Sequence, residues 1–149
     1  MENKIQVLLV DDERDFLEPI SFWLKSKGYS VILANNGRQA IKLVKSDHPD
    51  IVFLDINMPV MDGIEALARI RKFNKEIPII LLTAHGDSKV TAVVNQLGIS
   101  GFFPKKANLT QLTDILETTL RIHKKLRPSS TPSSQKKEKD KRDNRKEEE

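Results

Sequence analysis

The chain has 149 residues, enough for about one domain, and its formal net charge of +4 is too small to demand a nucleic-acid partner. It has no cysteine, which excludes disulfides, thiolate chemistry and a disulfide-stapled secreted scaffold. No apolar run reaches the roughly 18–20 residues of a membrane span, and no signal-peptide core is visible, so we expect a cytoplasmic protein without a membrane span.

Short runs rich in β-branched residues alternate with segments whose apolar residues recur at helical spacing. The runs, each a predicted strand, are residues 5–10, 30–33, 51–54, 77–82 and 101–103. The apolar residues of the five predicted helices begin at Phe16, Ala40, Ile64, Val90 and Leu109. Strands and helices that alternate in this way form an α/β domain around a buried parallel sheet.

The composition changes after residue 127. Residues 128–149 contain no aliphatic or aromatic side chain, and their basic and acidic groups nearly cancel. Such a segment cannot bury enough apolar surface to offset an ordering cost of about 1–2 kcal/mol per residue. We therefore predict a folded domain over residues 1–127 and a disordered, charged tail over residues 128–149, with Pro128 ending the preceding helix. A nucleic-acid-binding arm is the alternative interpretation of this tail.

Polar side chains follow the predicted strands at the point where each strand ends. They are Asp11, Asp12 and Glu13 after strand 1, Asp55 after strand 3, Thr83 after strand 4 and Lys105 after strand 5. In open parallel sheets, ligands bind beyond the carboxyl ends of the strands, where the strand order reverses. A strand order of 2-1-3-4-5 would make strands 1 and 3 neighbours, so their acidic ends would meet.

This set of groups is typical of a site that handles phosphate. Carboxylates that would otherwise repel each other are hard oxygen ligands, which Mg²⁺ takes together with phosphate and water. A threonine hydroxyl and a lysine ammonium suit the opposite side of a phosphoryl group. Asp12 could instead be the N-cap of the first helix, but capping does not explain the other acids or the lysine.

Four stretches of the chain resemble the receiver domain of response regulators, in particular the stand-alone chemotaxis regulators. They are VLLVDDE at 7–13, DIVFLDINMPVMDGIE at 50–65, PIILLTAHGD at 78–87 and LGISGFFPKK at 97–106. The resemblance covers residues 4–126 and implies a doubly wound, flavodoxin-like fold. It also implies a regulator that accepts a phosphoryl group from a sensor histidine kinase or a histidine phosphotransfer protein. Such a regulator is not an enzyme beyond its own phosphotransfer and slow autodephosphorylation.

The resemblance assigns the phosphoacceptor and the metal ligands. Asp55 corresponds to the aspartate that attacks phosphorus as a carboxylate nucleophile. Asp12 corresponds to a direct Mg²⁺ ligand, and Asp11 supports the metal mainly through water. The backbone carbonyl of Asn57 completes the protein ligands together with Asp55.

The remaining family roles fall on residues around the phosphoryl position. Thr83 and Lys105 correspond to the hydroxyl and the ammonium that contact the phosphoryl group. Thr83 and Phe102 correspond to the switch pair, which reshapes a face formed by helix 4, strand 5 and helix 5 for an unknown downstream target. Asn57 and His85 correspond to the positions that tune hydrolysis of the phosphate.

Two residues depart from the family pattern. Lys106 follows Lys105 where the family usually has a proline, and a cis bond without proline costs about 2.5–4 kcal/mol. Phe102 stands where the family often has tyrosine, so this residue cannot donate a hydroxyl hydrogen bond. Neither departure affects the acidic residues.

Three other classes of protein share part of this pattern. A flavodoxin-like FMN carrier needs a phosphate-binding loop after strand 1, where the acids at 11–13 would repel phosphate. An aspartate-based phosphohydrolase places its nucleophile after strand 1, whereas the D-x-N sequence here follows strand 3. A direct DNA-binding regulator needs an output module, and residues 128–149 are too few for a DNA-binding fold, so we expect no direct DNA binding.

Overall fold

The structure is a computed structural model that describes residues 4–84 and 96–123. Its strands are β1 (Gln6–Val10), β2 (Ser30–Ala34), β3 (Ile51–Asp55), β4 (Ile79–Thr83) and β5 (Gly101–Pro104). The helices of the described residues are α1 (Arg14–Ser26), α2 (Gly37–Asp47), α3 (Gly63–Phe73) and α4 (Leu109–His123). The strands form one parallel sheet in the order β2-β1-β3-β4-β5, which confirms the predicted fold class and topology.

The sheet and the first three helices lie within one compact unit, residues 1–112. The second unit, residues 113–149, is described over residues 113–123, which continue α4. All five residues of β3 are buried, as expected of a strand with a neighbour on each side in a parallel sheet. One apolar cluster joins alternate strand residues to α2 and α3; among its members are Leu8, Val10, Val52, Leu54, Ile79, Leu81, Ala40, Val44, Ala66 and Ile70.

The helix ends follow local sequence signals. Asn36 and Asp62 are the N-caps of α2 and α3, and each side chain accepts a hydrogen bond from the backbone N–H three residues later. After α1, Gly28 adopts a φ of +98°. Its N–H donates to the carbonyl of Lys25, and the next N–H donates to Leu24, which is the Schellman arrangement that favours glycine.

The helix count differs from the prediction of five, because the described residues contain four. Of the fourth predicted helix, over residues 90–97, only residues 96 and 97 are described, and both are helical. The predicted boundary at 127, the helix stop at Pro128 and the tail lie outside the described residues. No helix in the described ranges combines the length and the apolar character needed to cross a membrane.

Candidate functional site

The sheet register places the acidic residues of two strands side by side. Val10 of β1 pairs with Leu54 of β3, so Asp11 and Asp55, one position further, follow at the same edge of the sheet. The N–H of Asp11 donates to the carbonyl of Ala34 at 3.1 Å, which continues the ladder toward β2. The predicted meeting of the two acidic strand ends therefore occurs at the centre of the sheet.

Three carboxylates converge at this edge. One oxygen from each of Asp11, Asp12 and Asp55 lies within 4.8 Å of the other two. Asp11 is fully buried, Asp55 is 2% exposed, and Asp12 is exposed to solvent. Burial, followed by the charge of Asp11, raises the pKa of Asp55 from 3.8 to about 7.

Lys105 supplies the positive charge of the site. Its backbone N–H donates to the carbonyl of Thr83 at 2.9 Å, which fixes the chain beyond β5 at the same sheet edge. Its Nζ lies 2.7 Å from Asp11 Oδ2, 2.8 Å from Glu13 Oε1 and 3.7 Å from Asp55 Oδ2. Burial lowers the pKa of Lys105, but the contacts with these carboxylates outweigh it and raise the pKa above its usual range.

The donor set suits a hard divalent cation. Asp11 Oδ2 is buried, and the Lys105 ammonium lies 2.7 Å from it, so this oxygen carries a charge-assisted contact. Three converging carboxylates outnumber the single ammonium beside them, and their hard oxygens are chemically matched to Mg²⁺, which binds one or two carboxylates and keeps part of its water.

The loop after β3 is fixed by backbone contacts. The N–H of Asn57 donates to Asp55 Oδ1 at 3.4 Å, and the Asn57 side chain is exposed. The role of the Asn57 carbonyl as a metal ligand stays a prediction. The N–H of Met61 donates to the carbonyl of Pro59 at 2.8 Å across Val60, whose φ is +72°, so the loop contains a γ-turn with a β-branched residue at its centre.

The other predicted site residues lie near or beyond this edge. Thr83 ends β4 and is half-buried, one position past Leu82, the register partner of Asp55. Phe102 lies on β5 and is 36% exposed. His85 lies outside the described residues. The peptide bond between Lys105 and Lys106 is trans, in keeping with the missing proline.

Two residues of the site were missed as functional positions at the sequence level. Glu13 was grouped with the acids after strand 1 but given no role, and its carboxylate proves to bind Lys105. Gly63 begins α3 directly against the backbone of Asp55, because a Cβ there would lie 2.1 Å from the Asp55 carbonyl oxygen. The Asp-Gly pair at 62–63 indicates a helix start, but it does not indicate that the backbone at Gly63 lies against the backbone of Asp55.

Known proteins with similar sequences are response regulators. Residues 7–117 match the response regulator receiver domain model. The chain is 36% identical over 117 residues to the response regulator MprA of Mycolicibacterium vanbaalenii, and 34% identical over 117 residues to the regulatory protein AtoC of Escherichia coli K12. Each alignment covers 78% of this chain, but only 51% of MprA and 25% of AtoC.

Solved structures agree with the sequence comparison. The chemotaxis protein CheY4 of Vibrio cholerae is 30% identical with a TM-score of 0.73, over 79% of this chain and all of the other. A CheY-like receiver domain protein of Methanospirillum hungatei, 21% identical with a TM-score of 0.79 over 83% of this chain and 98% of the other, shares the fold. On the family match and these relatives, the chain belongs to the response regulator receiver domain family.

Proposed function

We propose that the chain is a phosphoacceptor of a two-component system or phosphorelay, in which Asp55 receives a phosphoryl group from a histidine. The observation that carries this proposal is that the buried Asp55 carboxylate lies in one cluster with Asp11, Asp12 and the Lys105 ammonium. The donor is a sensor histidine kinase or a histidine phosphotransfer protein. The proposal places the chain in the cytoplasm, where the ATP that charges such a kinase is found.

The transfer is a displacement at phosphorus. A carboxylate oxygen of Asp55 forms the new O–P bond, the P–N bond to the donor imidazole breaks, and the nitrogen keeps the bonding electron pair and takes up a proton. The reacting form of Asp55 is the carboxylate, so the raised pKa of about 7 must fall when a cation joins the site. Asp11, Asp12, Asp55 and the Asn57 carbonyl would hold Mg²⁺, which would neutralise charge on the transferring group.

Lys105 and Thr83 act on the opposite side of the phosphoryl group. The Lys105 ammonium is already within 3.7 Å of Asp55 Oδ2 and donates to a phosphoryl oxygen once it is present. The Thr83 hydroxyl, at the end of the neighbouring strand, donates to another oxygen. Asn57 and His85 set the rate at which water removes the phosphate.

The signal leaves through a face built from the predicted fourth helix, β5 and the last helix. Thr83 moves toward the phosphoryl group, and Phe102, exposed in the present state, turns inward beside it. This change reshapes the face for a downstream protein. Since the chain spans about half of MprA and about a quarter of AtoC, the identity of that protein is a separate question.

Acetyl phosphate supplies a direct test. Incubation with Mg²⁺ should add one phosphoryl mass to the intact chain, and hydroxylamine, which cleaves acyl phosphates, should remove it. Asp55→Asn should abolish the adduct. Asp62→Asn is the matched control, because Asp62 is an exposed acid of the next loop and asparagine also caps helices. An adduct that persists in Asp55→Asn, or none in the wild type, would refute the proposal.

A further inference from the structure

Glu13 connects the start of α1 to Lys105. It occupies the N-cap position of α1, yet its side chain makes no capping hydrogen bond. Its Oε1 instead accepts a hydrogen bond from Lys105 Nζ at 2.8 Å, across 92 positions of sequence. The Glu13 side chain is 65% exposed, so this carboxylate reaches into the site from the solvent side.

Lys105 is held mainly by the segment that contains Glu13. Its Nζ is 2.7 Å from Asp11 Oδ2 and 4.7 Å from the centre of the Phe16 ring. Asp55 Oδ2 is the most distant of the three carboxylates, at 3.7 Å, beyond hydrogen-bond range. The group that the phosphoryl-transfer reaction needs next to Asp55 is therefore bound to other partners.

We infer that Glu13 is a positioning residue, which holds Lys105 away from Asp55 until Asp55 carries a phosphoryl group. The inference rests on the proposed function, in which Lys105 contacts that group. A phosphoryl group brings up to about two negative charges close to the ammonium. Glu13 offers one charge in a solvent-exposed position, where water and salt screen it. The Lys105 ammonium thus leaves Glu13 and binds the phosphoryl oxygens. Loss of the Glu13 contact makes the phosphorylated state less favourable than it would be without Glu13.

Because Glu13 is exposed, its contact with Lys105 disfavours the phosphorylated state only weakly. Ion pairs with an exposed partner change an equilibrium by up to about fivefold. We therefore expect Glu13→Gln to bind a phosphoryl mimic about two- to fivefold more tightly than the wild type. The difference should shrink as salt is raised, because the competing attraction is between partly exposed charges.

The test uses the full chain and two measurements. The ¹⁵N signal of the Lys105 ammonium is recorded without metal or phosphate, and the affinity for beryllofluoride is then measured at saturating Mg²⁺. Glu18→Gln is the matched control, because Glu18 lies on the same helix and pairs with exposed Arg14 at 3.0 Å, not with Lys105. Glu13→Gln should shift the Lys105 signal and tighten beryllofluoride binding, and Glu18→Gln should do neither.

Each result decides the inference. An unchanged Lys105 signal in Glu13→Gln overturns it, because the contact then does not position the ammonium. A shifted signal with equal or weaker beryllofluoride binding also overturns it. A further outcome is that Glu13→Gln shifts the Lys105 signal, but neither the wild type nor any variant binds beryllofluoride. The proposed function has then failed, and the inference fails with it. Tighter binding that Glu18→Gln reproduces overturns it as well, since loss of any nearby charge would then suffice.

Discussion

Two cations in the interior of the first unit, Lys105 and Arg71, are satisfied in different ways. Lys105 faces the carboxylates of Asp11, Glu13 and Asp55. Among the described residues, the hydrogen-bond acceptors of Arg71 on α3 are backbone carbonyls, those of Leu97, Gly98 and Asn74, at 2.6–3.0 Å. Burial lowers the pKa of Arg71, whereas the carboxylates raise that of Lys105.

The difference separates a structural cation from a functional one. Backbone carbonyls cannot change charge, and they cannot move unless the chain moves, so Arg71 ties α3 to the backbone at residues 97–98 in one arrangement. Carboxylates can be neutralised by a metal or modified, so the partners of Lys105 can change while the fold stays the same. Arg71 therefore stabilises the fold of the domain, whereas Lys105 serves the proposed phosphoryl-transfer chemistry.

Loss of Arg71 should have the largest effect on stability. Arg71→Met removes the four hydrogen bonds of a buried guanidinium and leaves part-buried carbonyls without this donor, so we expect the free energy of unfolding to fall by about 3 kcal/mol. Urea unfolding followed by Trp23 fluorescence measures this change. Saturating Mg²⁺ should leave the deficit unaltered, because Arg71 contacts no member of the acidic site. A deficit that Mg²⁺ removes would contradict the assignment of Arg71 as a structural cation.

Loss of Lys105 should cost less and should depend on the metal. Lys105→Met leaves the buried carboxylates of Asp11 and Asp55 without their cation, and we expect a loss of about 2 kcal/mol in metal-free buffer at neutral pH. Mg²⁺ replaces the missing positive charge, so it should restore most of this loss and bind more tightly than to the wild type. Unfolding with and without Mg²⁺ gives both quantities, and Lys106→Met, at the adjacent position, is the control.

The pH dependence of stability should report on Asp55. Its pKa is 3.8 as a free side chain and about 7 in the folded chain, so the folded state binds the additional proton between these values. The free energy of unfolding of metal-free protein therefore falls as pH rises from about 4 to about 7, by about 2 kcal/mol after allowance for relaxation of the site.

Asp55→Asn should remove this slope, since asparagine does not titrate. The variant should also be more stable than the wild type above pH 7, because the repulsion between Asp11 and Asp55 is gone. Arg71→Lys should keep the wild-type slope. A slope that survives in Asp55→Asn would show that another group titrates in this range.

The sequence predicted the fold and the assembly of acids because both depend on chain-wide regularities. Alternating apolar runs fix which segments become parallel strands, and parallel strands bring their carboxyl ends to one edge. The pairing of Lys105 with Glu13 depends on rotamers of two long side chains that are 92 positions apart, which no periodicity records. Arg71 was not recognised either, since nothing in its helical neighbours indicates that carbonyls of residues 97 and 98 lie within reach.

The smallest expected effect is at Val60, in the loop between the site and the helix that carries Arg71. Its φ of +72° is disfavoured for any residue that carries a Cβ, and the residue is 88% exposed, so packing offers little compensation. Val60→Gly relieves strain of about 1–3 kcal/mol but loses part of this gain to the greater freedom of glycine in the unfolded chain. We expect a net gain of about 1 kcal/mol.

Val60→Ala is the matched control for this prediction, because it removes the exposed side chain but keeps a Cβ in the same backbone conformation. It should leave the free energy of unfolding nearly unchanged, and both variants should keep the Mg²⁺ affinity of the wild type. If alanine stabilises the chain as much as glycine does, exposure of the apolar side chain and not the turn is the source of the effect. If glycine also alters Mg²⁺ affinity, the γ-turn helps to position the loop after Asp55, and strain in it is coupled to the acidic site.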